Sequence, residues 1–168
     1  MPDALARAAV DIAWHPASDS ADQALRAQVA QLRGVPVDGV RVGRLCPRCG
    51  SEEHGRPWAS GAQVSLSRSG PHLVTAASLE HQVGVDVESV AEISRRWVPA
   101  EVLHASERAD TPEARASLWC RKEAILKVRG TGLVTPMPQI RTSQHQAVDL
   151  AAPHGYRAAL AWSDLQHR

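Results

Sequence analysis

The stretch LWCRKEAILKVRGTGL, residues 118–133, decides the fold, because it predicts a helix with one chemically distinctive face. Trp119, Glu123 and Lys127 follow one another at intervals of four residues, so they share that face. A carboxylate and an ammonium group beside an indole suit phosphate chemistry. A glutamate four residues before a lysine is also an ordinary helix-stabilising pair, worth about 0.2–0.5 kcal/mol, and this stretch alone favours that simpler interpretation.

The same helix has two predicted ends. Thr111 suits the N-cap, and Pro112 suits the first helical position, where no N–H is needed. Gly130 suits the C-terminal end, where a residue with positive φ is favoured. The sequence therefore predicts a helix that begins near Pro112 and ends at Gly130.

A second informative stretch, VGVDVE, spans residues 83–88 and predicts a strand. Its valines would face one way, while Asp86 and Glu88 would project together from the other face near the strand end. Two carboxylates so placed suit a hard divalent cation. A solvated strand face explains this pattern equally well.

The remaining pattern gives runs of strand and helix in two halves, which indicate an α+β fold. Turn residues separate the predicted elements. We expect a strand around residues 10–14, a helix over 20–33, a short strand from Val40, a hairpin over 63–69 and 73–77, a helix from Pro99 to near Asp110, a strand at 148–150 and a last strand over 156–162.

Together, the two stretches resemble the motifs of the 4′-phosphopantetheinyl transferase superfamily. Residues 84–88, GVDVE, resemble its G-x-D-x-E motif, and residues 119–127, WCRKEAILK, resemble W-x-x-K-E-A-x-x-K. Residues 130–133, GTGL, resemble the G-x-G-L that follows. The order and the spacing of the motifs also agree, and the resemblance covers residues 35–133 and, more loosely, the C-terminal hairpin.

The resemblance implies two similar α+β lobes, a pseudo-dimer with the active site at the lobe junction. Residues 1–84 would form the N-terminal lobe and contact coenzyme A, and residues 85–168 would form the C-terminal lobe with the metal and the catalytic helix. Larger members carry an additional N-terminal segment with basic residues. We expect this sequence to begin too late to hold all of that segment, and therefore expect fewer contacts to the adenine end. A two-lobed chain should complete its own site, which favours a monomer.

The implied reaction transfers 4′-phosphopantetheine from coenzyme A to a serine of an apo acyl or peptidyl carrier protein and releases 3′,5′-ADP, as in a holo-[acyl-carrier-protein] synthase. By resemblance, Asp86, Glu88 and Glu123 would ligate Mg²⁺. Glu123 is also the candidate base, and Lys127 would stabilise charge on the leaving phosphate.

The expected contacts to coenzyme A lie mainly upstream of these motifs. Residues 55–57, Gly-Arg-Pro, resemble the family's G-K-P, and Arg68 replaces the histidine of its Ser-His-Ser. An arginine keeps a permanent charge for the 3′-phosphate. The residues expected to bind coenzyme A are Arg56, Ser67, Arg68, Asp86 and Lys127.

Other polar residues have weaker assignments. Lys122 is either a phosphate contact or a solvated side chain, with neither favoured. Trp119 is expected to pack and to position Glu123 rather than to take part in the chemistry. No motif supports a role for three further glutamates, which we expect to be solvated: Glu92, Glu101 and Glu107.

Cys46 and Cys49 form a C-x-x-C, with His54 nearby. A structural zinc site needs four ligands, and here His54 and the distant Cys120 would both have to contribute. A loop without metal is the favoured interpretation, and we expect this loop to close over the ligand just before Arg56.

Composition excludes several classes of protein. The chain has 168 residues, 43% of them hydrophobic, which is enough for a core. A net charge of +1 argues against a nucleic-acid partner, and three cysteines fit a reducing cytoplasm. We also expect no membrane partner, since no apolar run approaches roughly 20 residues and no signal-peptide pattern is present.

Two alternatives to the transferase stay open at this point. One is a catalytically silent module that binds coenzyme A and a carrier protein. The other is a small zinc-binding interaction protein built on the cysteine pair.

Overall fold

The structure, a computed structural model, describes residues 9–130 and 134–165. The last three residues of the GTGL motif lie outside the described residues. The strands are β1 (Val10–Pro16), β2 (Val42–Leu45), β3 (Arg56–Ala59), β4 (Gln63–Ser69), β5 (His72–Ser78), β6 (His81–Ser89), β7 (Gln146–Leu150) and β8 (Tyr156–Asp164). The helices are α1 (Ala21–Arg33), α2 (Val90–Arg95), α3 (Pro99–Val102) and α4 (Pro112–Arg129).

The strands form two three-stranded antiparallel sheets and one hairpin, so the predicted α+β class is confirmed. The sheets have the orders β1-β5-β4 and β6-β8-β7, and β2 pairs with β3. In each three-stranded sheet, the first strand in the sequence is followed by a helix and later by two further strands. The last of the three strands lies in the middle of the sheet. We call β1, α1, β4 and β5 the first unit, and β6, α4, β7 and β8 the second unit.

Helix α1 covers the first unit. Its ends are fixed by Ser20, whose Oγ accepts from the amide of Gln23, and by Gly34 at φ 65°. Leu25 and Val29 are fully buried in a cluster with residues of β4 and β5. The predicted helix over residues 20–33 is therefore confirmed.

Helix α4 covers the second unit and has the predicted ends. The Thr111 side chain accepts from the amide of Ala114, Pro112 occupies the first turn, and Gly130 ends the helix at φ 70°. Ile125 and Leu126 are buried in a cluster that includes Ala161 of β8.

Gly84 lets α4 approach β6 closely. A Cβ atom at this position would lie 2.0 Å from the carbonyl oxygen of Ala124 and 3.0 Å from Cβ of Lys127. The glycine of the GVDVE stretch therefore sets the distance between the strand and the helix that carry the predicted site.

The two units meet along a seam, the line where β4 lies beside β6. Instead of a backbone ladder, the Oγ atoms of Ser65 and Ser67 accept from the amides of Val85 and Val87, at 3.0 and 3.2 Å. Both serines are buried. Two side-chain hydroxyls thus satisfy backbone donors that would otherwise be buried without partners.

Candidate active site

Asp86 lies in the seam and is 4% exposed, so the solvated-face interpretation is wrong for this residue. Its Oδ1 atom accepts from Ser67 Oγ at 2.9 Å and from Lys127 Nζ at 2.8 Å. Its Oδ2 atom is buried and has no hydrogen-bond partner among the described residues. A buried carboxylate oxygen without a partner is costly unless a donor or a cation binds it.

Lys127 reaches from α4 across the seam. Besides Asp86, its Nζ atom donates to the carbonyl oxygen of Leu66 on β4 at 3.2 Å and to that of Val85 on β6 at 2.8 Å. An ammonium group has three donors, and here all three are used. Lys127 therefore links both units and holds Asp86, a role that the sequence did not reveal.

Glu123 and Glu88 share the electrostatic environment of Asp86. Burial, together with the negative charges of Asp86 and Glu88, raises the pKa of Glu123 to about 7, although Lys127 and Arg96 oppose the rise. Burial and the charge of Asp86 also raise the pKa of Glu88, whose Oε1 atom lies 3.3 Å from Arg96 Nη2. The three carboxylates are thus close enough to repel one another.

These carboxylates do not form a closed ligand set. Among the described residues, the group of three potential ligands whose atoms all lie within 4.8 Å of one another is Cys46, Cys49 and His54, rather than the acidic three. Even so, the acidic cluster fits a cation in two respects. A cation would relieve the mutual repulsion of the carboxylates and would give Asp86 Oδ2 a partner, and an all-oxygen donor set suits Mg²⁺.

Beside the seam lies a basic groove of about 1100 Å³. Among the described residues that line it, none is acidic, and five are cationic: Arg44, Arg48, Arg56, Arg68 and Lys127. Such a lining attracts a ligand with several phosphate groups.

Three of the residues expected to bind coenzyme A line the groove, and the other two lie in the adjoining seam, where Asp86 is hydrogen-bonded to Lys127. Arg56, Arg68 and Lys127 line the groove. Arg56 donates to Gln82 Oε1 at 2.7 Å, and an added Cβ on Gly130 would lie 2.7 Å from its Nη1 atom, so its guanidinium lies beside the end of α4. Arg68 is exposed and donates to the carbonyl oxygen of Asp19. The other two, Ser67 and Asp86, are buried in the seam.

Two expectations about charged residues are wrong. Lys122 is fully buried and donates to the carbonyl oxygens of Val102 and Met137, at 2.6 and 3.0 Å. Its Nζ atom also pairs with Glu107 Oε2 at 2.6 Å, so neither residue is solvated and Lys122 is no phosphate contact. A signal was present in the sequence, because Leu118 and Leu126 lie one turn before and after Lys122 on the same helix face.

Glu107 supplies the negative charge that makes the burial of Lys122 possible. Burial alone would raise the pKa of Glu107, but hydrogen bonds from Lys122 and from the amides of Thr142 and His104 outweigh it and lower the pKa to about 2. Together, Lys122 and Glu107 tie the loops before and after α4 to the helix. The two other glutamates expected to be solvated are indeed exposed: Glu92 and Glu101.

Trp119 is half-buried and packs against the apolar cluster under α4. The guanidinium of Arg96 lies 5.0 Å from the centre of its ring, and the same guanidinium contacts Glu88. Packing is therefore confirmed as its role. Its positioning of Glu123 stays a prediction.

Comparison with known families decides the relationship. The sequence model of the 4′-phosphopantetheinyl transferase superfamily (ACPS) matches residues 82–166. The chain belongs to this superfamily. Its members act on carrier proteins, use coenzyme A as substrate and typically need a divalent metal. The match starts in β6 and runs past the end of β8, so it spans the second unit and the acidic cluster.

No curated protein matches the chain. In the parts of the chain that the structure describes, no helix has the length and the apolar character needed to cross a membrane.

Proposed function

We propose that this phosphopantetheinyl transferase moves 4′-phosphopantetheine from coenzyme A to a serine of an apo acyl or peptidyl carrier protein, with Mg²⁺, and releases 3′,5′-ADP, as a holo-[acyl-carrier-protein] synthase does. One observation carries the proposal. An acidic cluster with an unpartnered buried oxygen on Asp86 adjoins a groove lined by five cationic side chains.

Asp86, Glu88 and Glu123 are the proposed metal ligands. The carboxylate repulsion that raises the pKa of Glu123 and of Glu88 supports this assignment, because it marks a place prepared for positive charge. A bound Mg²⁺ would supply Lewis-acid polarisation of the diphosphate of coenzyme A.

Glu123 is also the proposed general base. Its role is to accept the proton of the carrier serine hydroxyl as that oxygen attacks the β-phosphorus. The pKa of about 7 belongs to the site without a metal, and a bound cation would lower it, so the position of Glu123 in the acidic cluster, rather than this value, supports the role. Such a base typically contributes about 10²–10⁴-fold to the rate.

Lys127 has two proposed functions. It holds Asp86 in the seam through the 2.8 Å hydrogen bond, and its partly exposed side chain lines the groove, where it would stabilise charge on the leaving phosphate. Arg56 and Arg68 would bind other phosphate oxygens of coenzyme A, with Arg44 and Arg48 as further cations along the same groove. Ser67 would act through Asp86, to which its hydroxyl donates.

We also propose that the chain is a two-lobed pseudo-dimer that works as a monomer. The common topology of the first and second units supports this, as both place the last of their three strands in the middle. The lobes would be residues 1–84 and 85–168, with the seam as their junction. The free cysteines Cys46, Cys49 and Cys120 support a reducing, cytoplasmic location.

The test is incubation with coenzyme A and a panel of apo carrier proteins, with and without Mg²⁺. We expect one carrier to gain the mass of a phosphopantetheine group only when Mg²⁺ is present. Binding of coenzyme A without transfer to any carrier would contradict the proposal.

That second outcome defines the alternative, a silent module that binds coenzyme A and a carrier protein. Two observations favour it. The donors of Lys127 are all used within the protein, and the three carboxylates do not lie within 4.8 Å of one another.

A further inference from the structure

The loop between β2 and β3 gathers three metal-binding side chains. Cys46 directly follows β2, and His54 lies two residues before the start of β3. Each of Cys46, Cys49 and His54 offers one ligand atom, and these atoms all lie within 4.8 Å of one another. Since Leu45 pairs with Arg56 in the hairpin, the loop leaves and re-enters the sheet at one point.

The distance between the Cys49 sulfur and the His54 ring nitrogen suits a tetrahedral ion. Cys49 Sγ and His54 Nε2 lie 3.5 Å apart. Zinc–sulfur and zinc–nitrogen bonds of about 2.3 and 2.05 Å at the tetrahedral angle place the two ligand atoms about 3.6 Å apart. The two side chains therefore stand at the distance that a shared zinc ion requires.

The loop backbone is shaped to hold this arrangement. The amide of Gly50 donates to the carbonyl oxygen of Cys46 at 2.8 Å, and Gly50 itself has φ +71°. Gly55, at φ +105°, passes so close that an added Cβ would lie 2.5 Å from Cα of Cys46. Glycines thus make the turn after the second cysteine and bring the end of the loop back onto the first.

The Cys46 sulfur also has the environment of a thiolate ligand. The amides of Arg48 and Cys49 donate to it. Zinc binds cysteine as the thiolate, so both thiols would release their protons to solvent on binding.

The fourth ligand considered from the sequence lies elsewhere. Cys120 is buried on α4, and its thiol donates to the carbonyl oxygen of Arg157 at 3.2 Å. The described part of the chain therefore supplies three ligands, and because Cys49 and His54 are exposed, solvent can reach the remaining position.

We propose that Cys46, Cys49 and His54 bind one Zn²⁺, with water at the fourth position, and that this ion fixes the loop that lines the basic groove. Cys46, Arg48 and Gly55 of the loop line that groove, as does Arg56 directly after it. Two thiolates and an imidazole favour zinc over Mg²⁺, which prefers oxygen ligands, so this site is distinct from the acidic cluster. The effect on coenzyme A rests on the proposed function, whereas the binding of zinc does not.

Metal analysis of the purified, untagged protein tests the site directly. We expect one zinc per chain in the wild type and roughly 10–100-fold weaker zinc binding, or none, in Cys49→Ala and His54→Ala. Replacement of zinc by Co²⁺ should give the visible absorption of a tetrahedral thiolate complex, and this absorption should be lost in Cys49→Ala. Because both residues are exposed, circular dichroism should show that both variants remain folded.

Two controls make the test specific. His154→Ala removes an exposed histidine from another turn and should leave the zinc content at one per chain. His54→Cys should retain zinc, because three cysteines also provide a suitable ligand set. A wild type with no more zinc than Cys49→Ala, or with Cys46 and Cys49 joined in a disulfide, would overturn the proposal.

The link to the groove needs a separate measurement. With a zinc-selective chelator and excess Mg²⁺ present, we expect the KM for coenzyme A to rise at least tenfold while kcat changes less. Stoichiometric zinc without any transfer activity would overturn only the proposed function. Transfer with unchanged KM after removal of zinc would overturn the role of the ion in fixing the loop.

Discussion

The two units have the same topology but connect helix and strand differently. In the first unit, Gln28 of α1 donates its neutral amide to the carboxylate of Asp11 on β1 at 2.8 Å and to the backbone oxygen of Asp11 at 3.0 Å. In the second unit, Lys127 of α4 donates to the buried carboxylate of Asp86 on β6. The first link is a hydrogen bond from a neutral amide to the carboxylate of Asp11, which is exposed. The second is an ion pair in a seam.

This difference teaches that two units with the same strand order can carry different chemistry. The second unit holds the acidic cluster. The first unit and its inserted β2–β3 hairpin supply most of the cations of the groove, among them Arg44, Arg56 and Arg68. The proposed reaction therefore needs both units, with acids on one side of the seam and arginines on the other.

The largest expected effect tests whether catalysis belongs to the second unit. Glu123→Gln removes the proposed base and a metal ligand, so we expect the transfer rate to fall about 10²–10⁴-fold. Asp86→Asn should also be severely impaired, whereas Asp11→Asn in the first unit should retain the wild-type rate. Mass spectrometry of the carrier measures the transfer rate of all three variants. If Asp86→Asn and Asp11→Asn lost the same fraction of the rate, catalysis would not belong to the second unit alone.

The next effect concerns how each helix is anchored. Lys122→Ala leaves Glu107 without its buried partner, and we expect a loss of about 3–5 kcal/mol in the free energy of unfolding. Gln28→Ala in the first unit should cost less, about 1.5–3 kcal/mol, since it removes a neutral donor to the Asp11 carboxylate and leaves no buried charge without a partner. Urea denaturation measures both. Similar costs would show that the two helices are anchored in the same way.

Acid should weaken the second unit through Glu107. Its folded pKa of about 2 lies below its ordinary value, so its contribution is fully present above about pH 4.5 and is lost as the pH falls toward 2. The contribution at neutral pH is on the order of 3 kcal/mol. Urea denaturation at pH 7 and pH 3 should show a smaller difference for Glu107→Gln than for the exposed control Glu101→Gln. If the loss of stability between pH 7 and pH 3 were the same in both variants, Glu107 would not be the source of the acid sensitivity.

Arg56 tests what the first unit and its hairpin contribute. Arg56→Ala removes a cation from the groove, and at about 1.5–3 kcal/mol for a charge-assisted hydrogen bond we expect the affinity for coenzyme A to fall roughly 10–100-fold. Arg33→Ala, an arginine of α1 outside the groove lining, is the control. Calorimetric titration with coenzyme A compares the two variants. If Arg56→Ala and Arg33→Ala bound coenzyme A with the same affinity, Arg56 would not contact its phosphates.

The smallest effect concerns the close approach in the second unit. Gly84→Ala forces α4 away from β6, and we expect a loss of about 1–3 kcal/mol in the free energy of unfolding, as in overpacked cores. Gly39→Ala, where an added Cβ meets nothing within 4 Å, should change stability little. Thermal unfolding compares the two variants. If Gly84→Ala were as stable as Gly39→Ala, the spacing of strand and helix would not depend on that glycine.

Much of the fold followed from local signals in the sequence. The caps of α4 at Thr111 and Gly130, and that of α1 at Ser20, are short-range features that need no tertiary information. The alternation of valines around Asp86 also predicted β6. These signals work because each depends on residues a few positions apart.

The contacts that the sequence did not reveal join residues that only the fold brings together. Lys122 and Glu107 are 15 positions apart, and only the folded loops bring them together. The bonds from Lys127 to Leu66 and from Ser67 to Asp86 cross the seam, which no motif describes. The approach of His54 to Cys49 depends on glycine conformations in the loop, which a count of possible ligands in the sequence does not take into account.

The most direct measurement is anomalous scattering from Mn²⁺ in crystals grown with coenzyme A. The account predicts a manganese ion ligated by oxygens of Asp86, Glu88 and Glu123, with the diphosphate of coenzyme A beside it in the basic groove. An ion bound elsewhere, or a diphosphate with no ion near Asp86, would contradict the central claim that the second unit holds the metal.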